Sequence, residues 1–173
     1  MSSRPAWHIA QLNVGYPIAP LDTEELRGFV EMLEPVNALA DEAPGFVWRL
    51  QTEDGDATAI RGFADSRLLM NMSVWESIES LAAFVFEGEH AAVMRQRRQW
   101  FERMDRAYAC LWWVPAGTVP AVADAEPRLT SLQEHGPTPF AFTFRRVFGP
   151  PDAPDGADTA SVADVADEWF CGV

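Results

Sequence analysis

The sequence predicts an α+β fold, an antiparallel sheet with helices on one face and elements in the order β-α-β-β-α(α)-β. Three observations carry this. The stretch Arg67–Trp100 changes from a two-residue to a three-to-four-residue apolar period at Trp75, so a strand runs into a helix. Trp7–Val14 alternates and is followed by a long helical stripe, which places a strand–helix pair ahead of it. Tyr108–Val114 (YACLWWV) is apolar on both sides, as a strand with two covered faces must be. The order is that of the ferredoxin-like split βαβ fold.

Trp7, Ile9, Gln11 and Asn13 alternate with His8, Ala10, Leu12 and Val14, and Gly15 with Pro17 ends this first strand. Asp22, with Glu25 three residues on, reads as a capping box. Leu26, Phe29/Val30, Leu33, Val36 and Leu39/Ala40 then form a helical stripe that Pro35 should kink or restart. Pro44-Gly45 is a turn, Phe46–Gln51 a second strand and Glu53–Ala64 a polar loop. The third strand puts Leu68, Met70, Met72 and Val74 on one face and Leu69, Asn71, Ser73 and Trp75 on the other. Ser77 is the expected N-cap of the next helix, with Ile78, Leu81, Ala82 and Val85 as its stripe, and Gly88 breaks the run. A second helical stripe follows in His90, Val93/Met94, Arg97, Trp100/Phe101 and Met104. After the fourth strand come a helix over Val122–His135, with Pro127 early in it, and a short strand over Thr143–Phe148.

Two segments are expected: a folded domain over residues 1–148, and an acidic Pro/Gly/Ala-rich tail over 149–173 whose composition suits a disordered linker. The formal charge is −13, and six uncompensated carboxylates sit in the tail, which leaves −13 + 6 = −7 on the body. That balance argues against nucleic acid and anionic membrane surfaces as partners. All 13 basic residues are arginine, so lysine Schiff-base chemistry is excluded. Two cysteines, Cys110 and Cys171, make no disulfide framework, and no apolar run has membrane-spanning length. With no signal-peptide-like start, a cytoplasmic protein is expected. A sheet with helices on one face leaves the other bare, and an isologous homodimer through that face would cover it.

The functional lead is a polar constellation on apolar elements. His90 and Arg97 interrupt a greasy helical stripe that should lie across the strand bearing Asn71 and Trp75. His90 reads either as a base or acid in a pocket, held neutral by Arg97 and desolvation, or as a structural hydrogen-bonding histidine. Asn71 and Asn13 are amide donors lining that pocket, structural hydrogen-bonding groups, or residues of an exposed sheet face, since an unpaired buried amide costs about 1–3 kcal/mol. Trp75, Trp100 and Trp112 would wall the cavity, although Trp112 and Trp113 also suit core or dimer packing. Tyr108 is a phenolic donor or a packing residue, while Arg95, Arg97 and Arg98 also read as a solvated helix face with a salt bridge or two, of which only Arg97 shares the His90 stripe. His8, His90 and His135 are too scattered for a metal motif, so no metal is expected. With neither a glycine-rich phosphate loop nor a nucleophile elbow, no nucleotide or flavin cofactor is indicated.

Six segments, HIAQLNVG, NALADEAPGFVWRLQ, NMSVWES, HAAVMRQRRQWF, LWWVPAG and HGPTPFAFTFR, resemble a bacterial domain-of-unknown-function family, number 3291. That family falls in the dimeric α/β-barrel superfamily, with antibiotic-biosynthesis and haem-degrading monooxygenases. The resemblance covers about Trp7–Phe148 and implies the fold and a homodimer. It also implies small-molecule chemistry of bacterial secondary metabolism in an apolar pocket, taking a small apolar or aromatic metabolite. That chemistry would be cofactor-independent monooxygenation, or cyclase/isomerase proton transfer. His90 would then serve as acid or base, with Asn71 or Asn13 as donor to an oxyanion. The alternative is a binder of haem or an apolar metabolite. The haem-degrading branch uses a strand-one asparagine, a tryptophan on the helix after strand three and a histidine ten residues later. Asn13, Phe84 and Met94 stand at those positions here, so His90 would have to replace the haem ligand. The family usually reads PAGH-x-P after the tryptophan pair, whereas this chain reads PAGTVP, with Thr118 in the histidine position.

Overall fold

The computed structural model describes residues 7–153 and 158–159, with the side chains of His90, Met94, Asp158 and Thr159 outside the description. Strands β1 (Trp7–Gly15), β2 (Phe46–Arg49), β3 (Leu69–Trp75) and β4 (Ala109–Pro115) form one antiparallel sheet in the order β2-β3-β1-β4. Helices α1 (Glu24–Glu42), α2 (Ile78–Phe86) and α3 (Gly88–Gln96) join them, and α3 runs on into a 3-10 turn at Arg97–Gln99. This is the ferredoxin-like split βαβ order the sequence implies.

Several local details differ from the sequence reading. The N-cap of α1 is Thr23 rather than Asp22, and its hydroxyl donates to Pro20 O at 2.6 Å instead of capping the helix. Pro35 leaves α1 unbroken over 19 residues, and it sits on the exposed side. Ser77 does cap α2, its Oγ accepting from Ser80 N at 3.1 Å. Gly88, at φ 69°, makes the break to α3, a left-handed conformation that costs glycine little. The expected last strand shrinks to β5 (Val147–Phe148), which pairs with β6 (Asp158–Thr159) and so carries the described structure past residue 148. Residues 160–173 lie outside the described residues.

The largest departure concerns the second face of the sheet. Strand residues alternate between faces, and Trp112 pairs with Ala10, so Ala10, Leu12, Met72, Val74, Cys110 and Trp112 share a face. That face is not bare. Helix α4 (Ala125–His135) lies on it, with Ala125, Leu129 and Leu132 buried in the common core. The Arg128 guanidinium sits 5.0 Å from the centre of the Trp112 ring. At the outer edge of β4, Phe142 exchanges backbone hydrogen bonds with Leu111 at 2.7 and 2.9 Å. Trp112 is 1% exposed within the single chain. The greasy strand that motivated a partner copy is thus covered by the chain itself. Among the described residues, no helix is long and apolar enough to cross a membrane.

Candidate functional site

Helices α1–α3 do not collapse fully onto the other face, and between them and the sheet lies a cavity of about 180 Å³. This explains why the apolar stripe of α1 is only half-buried. Phe29, Leu33 and Val36 line the cavity instead of filling a core, while Val30 turns outward. From above, α2 contributes Leu81, Phe84 and Val85, α3 contributes Val93, and the turn after it adds Arg97, Trp100 and Phe101.

The sheet supplies a polar floor. Cross-strand pairing sets Gln11 opposite Ser73, Asn13 opposite Asn71 and Gly15 opposite Leu69, so the outward alternation of two strands yields three rungs. Asn13 Nδ2 donates to Gln11 Oε1 at 3.2 Å, and Gln11 Nε2 donates to Ser73 Oγ at 3.0 Å. Trp75 Nε1 donates to the same Ser73 Oγ at 2.9 Å. The Asn71 amide makes no hydrogen bond to a described residue and lies toward solvent. Aromatic rings close both ends. Trp75 stacks on Phe84 at 4.9 Å and meets Phe46 edge-on at 5.4 Å, while Phe29 packs against Trp100 at 6.0 Å and Phe101 at 5.0 Å.

Arg97 sits at the Gly15 end. It is 7% exposed, its Nη2 donates to Val14 O at 3.2 Å, and its guanidinium lies 4.3 Å from the Phe101 ring centre. Its Nε is buried without a partner, and no carboxylate among the described residues pairs with it. Burial pulls its pKa well below the ordinary arginine value, with a smaller opposing effect from Tyr108. Gly15 makes this packing possible, because a Cβ there would collide with Arg97 Nη2 and lie 2.7 Å from Phe101 Cδ1. The other mouth is held by Arg49, which binds Asp41 at 2.7 and 3.2 Å and Gly55 O at 2.7 Å.

Asn13, Asn71, Trp75, Phe84, Arg97 and Trp100, all expected to belong to a site, are therefore brought together around one cavity. Two candidates are not. Trp112 faces the opposite side of the sheet, beneath Arg128, because its even position shares the parity of Ala10. Tyr108, 2% exposed, is buried just ahead of β4 and does not line the cavity. The His90 and Met94 side chains, which carried the acid–base and haem-ligand readings, lie outside the described residues. Thr118 is exposed in the turn after β4, donating to Pro115 O at 2.6 Å, and is not a cavity residue. Gln11 and Ser73 were missed as site residues, although their strand parity with Asn13 and Asn71 marked them. Among the described residues, no cluster of His, Cys, Asp and Glu is arranged to hold a metal ion.

A four-stranded ferredoxin-like sheet with a helix-covered, polar-floored cavity defines the architectural class. Within it, the chain belongs to the family described as a domain of unknown function, DUF3291, whose model matches residues 8–158. No curated protein matches it by sequence. Among solved structures it is similar to a mutant form of SnoaB, a cofactor-independent oxygenase from Streptomyces nogalater. That match has 11% identity, covers 65% of this chain and 95% of that one, and has a TM-score of 0.41. A protein of unknown function from Nitrosomonas europaea, NE2512, matches at 12% identity, 67% and 97% coverage and a TM-score of 0.42. A candidate antibiotic biosynthesis monooxygenase from Chloroflexus aurantiacus J-10-fl matches at 13% identity, 66% and 98% coverage and a TM-score of 0.39. At these values the likeness says nothing of activity.

Proposed function

We propose that the chain is a small-molecule enzyme acting on an aromatic or enolisable substrate held between the sheet and α1–α3. The reaction would be cofactor-independent oxygenation or proton transfer. The supporting observation is the combination of an aromatic-walled cavity with a row of amide and hydroxyl groups and a buried, unpaired guanidinium. Such groups favour developing negative charge on a bound molecule, and they act more strongly in a water-poor site than in bulk solvent. In an oxygenation, an activated CH2 would become C=O, with one oxygen atom of O2 entering the product and the other leaving as water. Against haem stands the volume of this cavity, close to the roughly 150 Å³ that takes up benzene.

A second reading is binding without turnover, and a specific observation favours it. The one carboxylate in the described lining, Asp56, is tied through Oδ1 to its own loop, accepting from Thr58 N at 2.8 Å and Thr58 Oγ1 at 2.6 Å, so only its Oδ2 is left there to act as a base. Two measurements on a panel of single-ring phenols and enolisable ketones separate the readings: oxygen uptake, and deuterium exchange of activated C–H followed by NMR. Uptake or exchange above the buffer rate supports the enzyme. Quenching of tryptophan fluorescence with neither reaction across the panel refutes the enzyme and leaves the binder. A homodimer is proposed only through a surface other than the one α4 covers.

A further inference from the structure

A serine hydroxyl has two acceptor lone pairs and one hydrogen to donate. Both lone pairs of Ser73 are engaged by obligate donors, Gln11 Nε2 at 3.0 Å and Trp75 Nε1 at 2.9 Å. The Gln11 amide takes that sense with its oxygen accepting from Asn13, so the direction of the row is set by the Asn13 amide. The Ser73 hydrogen therefore has no acceptor among the described residues, although the side chain lines the cavity and is 7% exposed. Donation along Asn13, Gln11 and Ser73 polarises each successive bond, which makes that hydrogen a better donor. The far end of the floor has the complementary need, since Arg97 is buried there with no carboxylate beside it.

The two groups are separated along β1 by the four residues from Gln11 to Gly15. At about 3.3 Å per residue that is about 13 Å, the reach of one para-substituted ring with a hydrogen bond at each end. We propose that the cavity takes a single-ring aromatic acid carrying an oxygen para to its acid group, the carboxylate meeting Arg97 and the para oxygen accepting from Ser73. Ser73 is then a specificity-determining residue, rejecting rings that place a methyl group where the oxygen belongs. This rests on the cavity being the substrate site, but it is tested by binding rather than by turnover, so the two can fail separately.

The probes are 4-hydroxybenzoate, its near-isostere 4-methylbenzoate and the uncharged 4-hydroxybenzamide, titrated against the full chain by calorimetry and tryptophan fluorescence. The hydroxy acid should bind about tenfold or more tightly than the methyl acid, because the wrong ligand leaves a buried donor unpaired. Ser73→Ala should bring the two acids to within about twofold, while Arg97→Met should erase the preference for the acid over the amide. Equal binding of the two acids by the unaltered protein would overturn the proposal, meaning that the amide row runs the other way and the hydroxyl is spent on Gln11. No binding of any probe would also overturn it. Because the first comparison needs no variant, misfolding of Ser73→Ala leaves the proposal decidable.

Discussion

Replacing Arg97 by methionine should make the protein more stable and a worse binder of acids. A guanidinium taken from water without a counter-ion carries an effective penalty of several kcal/mol, even after local relaxation. Against that stand one charge-assisted hydrogen bond to Val14 O, worth about 1.5–3 kcal/mol, and the contact with the Phe101 ring, worth about 0.5–2 kcal/mol. Methionine has similar length, keeps the aromatic contact through its sulfur and carries no charge to desolvate. The expected balance is a gain of about 1–2 kcal/mol, or roughly 2–8 °C in Tm for a chain of this size. Calorimetric melts of both proteins at neutral pH read the first half. Titration with 4-hydroxybenzoate reads the second, where loss of a buried charge partner should weaken binding about thirtyfold or more. A Tm lowered by more than a few degrees would refute the reasoning, because Arg97 would then be a structural group satisfied by the fold rather than one waiting for a ligand.

Gly15→Ala should lower stability by about 1–3 kcal/mol through overpacking against Arg97 and Phe101; melts show it, and pairing it with Arg97→Met should give a loss smaller than additive. Ser77→Ala should cost about 1 kcal/mol by removing the α2 cap, read as a drop of roughly 2–4 °C in Tm. Burial pushes the Cys110 thiol from 9.0 up to about 12. The folded chain thus holds that proton more tightly than the unfolded one, so the contribution is complete below pH 9 and is lost as pH rises toward 12. Denaturant titrations across that range should show a steeper fall in the unsubstituted chain than in Cys110→Ala, the difference between the two curves being the thiol's share. Leu129→Glu, on the buried side of α4, should lower the melting temperature rather than selectively split a dimer, as melts and light scattering at micromolar concentration would show together.

The core architecture was readable because its signals are local. The change of period at Trp75 and the alternation in β1 are each set by side chains facing one direction or the other, and neither depends on distant contacts. The role of the segment after β4 was not readable in that way. Its helix is short and its apolar positions are few, and what it covers follows only from the parity of Trp112 and Ala10 across a sheet pairing. An apolar strand such as YACLWWV announces that both faces are buried, but it cannot say whether the cover comes from a second copy or from the chain's own later residues.

The site divides along the same line. Asn13, Asn71 and Arg97 stood out because each is the wrong kind of residue for its position if that position were plain core. Gln11 and Ser73 have the same strand parity, yet each taken alone is an ordinary strand residue. Their meaning appears only in the direction of the hydrogen bonds linking them. A serine says little until both its lone pairs are occupied, at which point its hydrogen must go elsewhere. Gly15 was read only as the end of a strand, and its second use, admitting a guanidinium against the backbone, requires a residue more than eighty positions later. Local pattern therefore delivers the floor and walls of this cavity, whereas its chemical preference resides in two unmet demands at opposite ends, a hydrogen without an acceptor and a cation without an anion. A ligand that meets both must carry an oxygen and a negative charge about one ring apart.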